Sequence, residues 1–168
     1  LLEKGCRFYE GLVRVPLIFS CPGRFLQNVR RDALVELLDL TSTIVELAGI
    51  EQPDYMQGRT LIPLLTNPDA EDDHREFVRS EYFDALDPLF TGGSGVFATM
   101  YRNRQFKLSV YHGHGLGELY DLENDPWEFN DLWNNPEYTT VKAELIAKSF
   151  DAHVLLTTDV GSERIAPM

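Results

Sequence analysis

Four short apolar runs at close spacing constrain this chain more than any other feature. Residues 77–82, 96–101, 106–111 and 118–122 are rich in β-branched and aromatic side chains and read as strands. Arg102-Asn103-Arg104-Gln105 separates the second from the third, and the glycine-rich His112-Gly113-His114-Gly115-Leu116-Gly117 separates the third from the fourth. Connections this short leave no room for a crossover, so the strands they join must pair antiparallel. Asn124-Asp125-Pro126 ends the meander. Asn135 followed by Pro136 predicts the cap and first turn of a final helix reaching past Phe150.

The upstream half follows a different pattern. Residues 13–20, bounded by Gly11 and by Cys21-Pro22-Gly23, predict a mostly buried strand, with Pro16 marking its start, an edge or a bulge. Asp32 is a candidate helix N-cap. Leu34, Leu37, Leu38, Thr41, Ile44, Val45 and Ala48 then share one helical face, and Gly49 is the stop. Residues 51–73 carry Pro53, Gly58, Pro63 and Pro68 and read as connection, with a short helix over 60–65. The acidic run Asp69-Ala70-Glu71-Asp72-Asp73 reads as a solvated loop. A lone parallel-type strand would leave its ladder groups unpaired, so this half is expected to be the tail of a larger sheet supplied from upstream. The fold class is thus α/β in residues 1–75, followed by a small α+β unit in 76–168 with a four-stranded antiparallel sheet and a terminal helix.

Charge limits the partners. The formal charge of −12 disfavours nucleic acid and anionic membrane, both of which attract basic patches. No apolar run approaches the roughly 20 residues of a membrane helix. Cys6 and Cys21 lie in no CxxC or Cys/His cluster and read as free thiols rather than as zinc ligands or a disulfide.

Four motifs in a fixed order carry a family resemblance. Lys4-Gly5-Cys6-Arg7-Phe8-Tyr9-Glu10-Gly11-Leu12-Val13-Arg14-Val15-Pro16-Leu17-Ile18, with Cys21-Pro22-Gly23, resembles the sulfatase pattern in which a lysine precedes Tyr-Glu-Gly and Arg-Val-Pro. Asp39-Leu40, Thr43 and Leu47-Ala48-Gly49-Ile50 resemble that family's next helix, with Ser42 where proline is usual. Gly58-Arg59-Thr60-Leu61-Ile62-Pro63-Leu64-Leu65 and Glu118-Leu119-Tyr120-Asp121-Leu122-Glu123-Asn124-Asp125-Pro126-Trp127-Glu128 are similar to its later segments. The chain therefore resembles the C-terminal segment of an arylsulfatase-like enzyme of the alkaline-phosphatase superfamily. The first half then stands as the tail of an alkaline-phosphatase-like sheet.

The resemblance implies hydrolysis of a sulfate ester by a formylglycine hydrate beside a calcium ion. The formylglycine would arise from a C/S-x-P-x-R motif, which neither Cys6 nor Cys21 matches, so nucleophile and calcium ligands are expected upstream and this segment alone is expected to be inactive. No metal ligand set is expected within this chain, because calcium needs six to eight convergent oxygens. Lys4 is the one catalytic residue the resemblance transfers, as a cation against the sulfate oxygens, where charge develops in the transition state. Three weaker candidates for substrate binding are His112 and His114, on a glycine-flanked turn, and Arg14, which can instead brace its loop through carbonyls or Glu10. Phe8, Tyr9, Tyr82 and Trp127 read as packing residues. The expected partners are a sulfated small molecule or carbohydrate and the rest of the catalytic domain. A phosphonate or phosphate-ester hydrolase of the same superfamily, or a carbohydrate- or protein-binding module, are the competing readings.

Overall fold

The computed structural model describes residues 5–84 and 95–158, with Lys4 outside them. The elements run α1 (Glu10–Val13), α2 (Leu37–Leu47), α3 (Ile62–Thr66), β1 (Val78–Phe83), β2 (Phe97–Arg102), β3 (Phe106–Tyr111), β4 (Leu116–Asp121), a 3-10 turn (Pro136–Tyr138) and α4 (Thr139–Thr158). The described residues form two compact units. One draws on the described residues of 5–16 and 77–149, the other on those of 17–76 and 150–158.

In the first unit the four strands form one antiparallel sheet in the order β1-β2-β3-β4, as the turn lengths require. Asn103 Oδ1 accepts from the backbone N–H groups of Gln105 and Phe106, at 3.0 and 2.6 Å, and closes the β2–β3 turn. The β3–β4 turn uses Gly113 and Gly115 in left-handed conformations, φ 81° and 64°.

Alternation along the strands gives each face its own cover. The register sets Ala98, Met100 and Arg102 of β2 beside Tyr111, Ser109 and Lys107 of β3, and these beside Leu116, Glu118 and Tyr120 of β4. Phe8 packs on this face with Ala98, Met100 and Tyr111, joined by Cys6, Val13, Tyr82 and Val96. The other face buries Leu108 and Leu119, each contributing about 1.5–3 kcal/mol. Phe77 stacks on Tyr101 there, with ring centroids 4.9 Å apart, and Tyr138 meets Phe106 edge-on. Gly117 lets Trp133 lie against the strand, since a Cβ at that position would sit 2.3 Å from the indole. Asn135 Oδ1 accepts from Glu137 N at 3.0 Å and Pro136 fills the first turn, the predicted start of the terminal helix.

The second unit is organised by a buried carboxylate rather than by an apolar helix face. Asp39 of α2 is fully buried and accepts from Arg75 Nε (2.8 Å) and Arg59 N (2.7 Å), with a further close contact to Arg75 Nη2. His74 Nε2 lies 3.3 Å from the same group. Burial opposes ionisation of Asp39, yet the bonds from Arg75, Arg59 and Glu36 hold its carboxyl below the usual carboxylate range. One helical turn on, Thr43 Oγ1 accepts from Leu61 N at 2.9 Å and donates to the Asp39 carbonyl at 2.6 Å. These two side chains tie the Gly58–Leu61 segment to α2.

Two expectations are corrected here. The helix starts at Leu37, not after Asp32: Asp39 Oδ2 accepts from Glu36 N at 2.9 Å and caps the first turn, while Asp32 N donates to Asp72 Oδ2. Its buried positions are Asp39, Ser42 and Thr43, whereas Leu37, Leu38 and Ile44 of the expected apolar face are exposed. The predicted strand over 13–20 is also absent from the described residues. A strand exists only with a ladder partner, and none pairs with this run, so Val15, Leu17 and Ile18 stand exposed.

Candidate functional site

The segment from Gly5 to Val13 crosses one face of the sheet and is fixed at three successive points. Arg7 is the first: Nη1 donates to Tyr111 Oη at 3.1 Å and forms a close ion pair with Glu118, and the guanidinium carbon lies 5.2 Å from the Tyr111 ring centroid. Phe8 is the second, through its core contacts. Glu10 is the third, accepting from Arg102 Nε at 3.1 Å and lying 3.3 Å from Lys107 Nζ.

Lys107 is the hub of this arrangement. Its side chain is only 1% exposed, and Nζ donates to the Phe8 carbonyl at 2.8 Å while pairing closely with Glu128. Glu128 in turn accepts from Glu10 N at 2.7 Å. Glu128 sits in the turn after β4 with φ 60°, a left-handed conformation that costs a non-glycine residue about 1–2 kcal/mol. Its ion pair and backbone bond offset that cost. The turn itself is held by Asp121, which accepts from Glu123 N and Asn124 Nδ2, and by Asp125, whose carboxylate accepts from Asn130 N at 2.7 Å.

Burial controls the titration of the groups around Arg7. Burial pushes the Glu118 carboxyl up, Arg7 pulls it down, and nearby Asp131 adds to the rise. Burial likewise pushes the Tyr111 hydroxyl up to about 12, with Glu118 reinforcing the shift and Arg7 opposing it. The Tyr111 phenol is therefore neutral at neutral pH.

The four residues singled out from sequence fare differently. Lys4 lies outside the described residues, one position before the fixed segment. Arg14 is exposed and reaches Glu10 Oε2 at 4.0 Å, the bracing partner anticipated for it. His112 N donates to the Phe97 carbonyl at 2.8 Å and its Nε2 lies 2.9 Å from Thr99 Oγ1; His114 N is 3.3 Å from the Tyr111 carbonyl. No hydrogen bond or ion pair among the described residues joins Arg14 to either histidine. Trp127, read as a packing residue, is 77% exposed because Glu128 beside it turns inward. Lys107, Glu118 and Arg7 were missed. The available signal for Lys107 and Glu118 was charge at inward parity on β3 and β4, which folds stably only as buried ion pairs; Arg7, outside the strands, carried no such signal.

Among the described residues no group of three or more His, Cys, Asp or Glu side chains could hold a metal ion. The described residues therefore do not fit a calcium site.

The antiparallel sheet, its terminal helix and the anchored Tyr9-Glu10-Gly11 segment define the C-terminal region of a sulfatase. The chain belongs to that family: residues 4–153 match the family described as N-sulphoglucosamine sulphohydrolase, C-terminal, within the alkaline-phosphatase superfamily. A Δ4,5-hexuronate-2-O-sulfatase from Bacteroides thetaiotaomicron is 33% identical over 146 residues, covering 86% of this chain and 29% of that protein. Mouse arylsulfatase K is 31% identical over 134 residues, covering 78% of this chain and 24% of the relative. A solved structure of a protein with its substrate D-glucosamine-2-N,6-O-disulfate superimposes with TM-score 0.59 at 26% identity, covering 75% of this chain and 25% of that one. A phosphonate monoester hydrolase from Silicibacter pomeroyi gives TM-score 0.61 at 27% identity, covering 76% and 26%. This chain thus spans less than a third of the length of each of these four proteins.

Proposed function

We propose that this chain is the C-terminal segment of a sulfatase that hydrolyses sulfate esters of carbohydrates, and that it supplies Lys4 as a cation against the sulfate. The family match from residue 4 to residue 153 is the observation that carries this reading. The anchored segment that begins at Gly5 supports it, because a residue that must meet developing charge works only from a rigid base. Formylglycine and calcium belong to the upstream part of the same protein in this reading. Two of the relatives named for their substrates act on sugars with two acidic groups, and a third, an N-acetylglucosamine-6-O-sulfatase from Bacteroides thetaiotaomicron, acts on a sugar with one. Of the two diacidic sugars, one carries a uronate carboxylate and a 2-O-sulfate, the other an N-sulfate and a 6-O-sulfate. A sulfated sugar is accordingly the substrate class assigned here.

The likeness to a phosphonate monoester hydrolase favours one second reading, hydrolysis of a phosphonate or phosphate ester by the same layout. Assay of the full-length protein on 4-nitrophenyl sulfate, 4-nitrophenyl phosphate and a phenyl phosphonate ester separates the two. Sulfatase action predicts a kcat/KM preference for the sulfate. A preference for the phosphonate would replace it. In the same protein Lys4→Ala is expected to lower kcat by about a hundredfold or more with the melting temperature unchanged; near-normal turnover would remove Lys4 from the site.

A further inference from the structure

Arg7 is held in a way that leaves three of its five N–H donors unbonded among the described residues. Only Nη1 bonds within the chain, to Tyr111 and Glu118, while Nε and Nη2 make no hydrogen bond among the described residues. The side chain is 46% exposed, against 10% for Glu118 beneath it. A guanidinium presents Nε and Nη2 as one flat fork that fits the two oxygens of a carboxylate or sulfate. Here that fork is set in advance. The Tyr111 ring supports the cation, Glu118 fixes its rotation, and the backbone on the next residue is pinned by Phe8 in the core and by Lys107 on the Phe8 carbonyl. Glu118 also cancels most of the net charge, so selectivity at this point comes from fork geometry rather than from a positive field.

Resting on the sulfatase reading above, we propose that Arg7 is a specificity residue. Its free Nε/Nη2 edge binds the second acidic group of the substrate, a carboxylate or a second sulfate, while Lys4 meets the scissile sulfate. The shared chemistry is a planar or near-planar pair of anionic oxygens, and the test distinguishes its source.

The full-length enzyme, Arg7→Gln and Arg7→Lys are assayed on two substrate pairs that differ by one anion each. The first pair is a 2-O-sulfated hexuronate disaccharide and its carboxyl-reduced form; the second is glucosamine-N,6-disulfate and glucosamine-6-sulfate. The expected result is that Arg7→Gln lowers the dianion-to-monoanion ratio of kcat/KM by about tenfold to a hundredfold in one pair, the loss expected for a charge-assisted contact. Arg7→Lys should retain part of it. The affected pair names the anion as carboxylate or sulfate. A residue that merely holds the fold would lower both members equally, so an unchanged ratio in both pairs overturns the proposal. If the wild-type enzyme cleaves none of the four sugars, 4-nitrophenyl sulfate against the phosphonate ester decides the sulfatase reading by itself. Calorimetric binding of the same four then tests Arg7: a discrimination that Arg7→Gln abolishes keeps it as an anion contact, and none overturns it.

Discussion

Replacing Lys107 with methionine tests whether the charged hub holds the Gly5–Val13 segment. Methionine matches the length and volume of the lysine stem, so packing is kept and the ammonium alone is lost. That loss strips the Phe8 carbonyl of its 2.8 Å donor and leaves the carboxylates of Glu10 and Glu128 facing the vacated position. Glu10 retains Arg102 at 3.1 Å, but among the described residues no other cation pairs with Glu128, which is only 4% exposed. Breaking one side of a buried pair costs about 3–5 kcal/mol, and the orphaned carbonyl adds about 1 kcal/mol, which the surviving Arg102 pair partly offsets. A net loss of about 3–5 kcal/mol in urea unfolding is therefore expected. The double variant Lys107→Met/Glu128→Gln removes the uncompensated charge and should recover a large part of that loss, since residues in contact are not additive. A single variant within about 1 kcal/mol of wild type would refute the argument, because it would mean that the hub is not a net stabilising network.

Two further predictions concern other parts of the fold. Asp39→Asn should cost about 3 kcal/mol at pH 7, because it takes one of two carboxylates from the buried Arg75 guanidinium and leaves it with Glu36 at 3.4 Å. The folded pKa of Asp39 is lowered, so its contribution is complete above the unfolded value near 3.9 and is lost as pH falls through the folded value. Unfolding at pH 7 and at pH 3 should show the gap between variant and wild type narrowing in acid; a constant gap would contradict the charge argument. Gly117→Ala should cost about 1–3 kcal/mol with a changed near-UV circular dichroism signal, since the added methyl meets Trp133 at 2.3 Å. An unchanged melt would show that the indole does not rest on that strand.

The sheet was legible because its signals are local. Strand composition, the Arg102–Gln105 turn and the glycine-rich turn lie within a few residues of what they specify, and the four strands form where expected to within one or two positions. The cap at Asn135 and Pro136 is local in the same sense. The first half misled for the opposite reason. Apolar periodicity placed Leu37, Leu38 and Ile44 on a core face, but the partners of α2 among the described residues are polar ones that arrive from Arg59, Leu61, His74 and Arg75. Nothing near Asp39 in the sequence announces a buried carboxylate, because its cation stands 36 positions away.

The candidate site divides along the same line. The motif around Lys4, Tyr9 and Glu10 could be read as a resemblance, yet sequence gave no reason for its glutamate. That reason is tertiary: Glu10 meets Lys107 and Arg102, more than ninety positions away, and its own N–H meets Glu128. By itself the sequence determined the antiparallel meander, the terminal helix and membership of the sulfatase family, because strand alternation, turn residues and caps act over short stretches of chain. Only the tertiary structure decided which charges are buried, how Glu128 comes to point inward while Trp127 faces out, and which edge of Arg7 is left free. Those outcomes depend on ion pairs between distant residues, whose strength is set by the burial that folding itself creates.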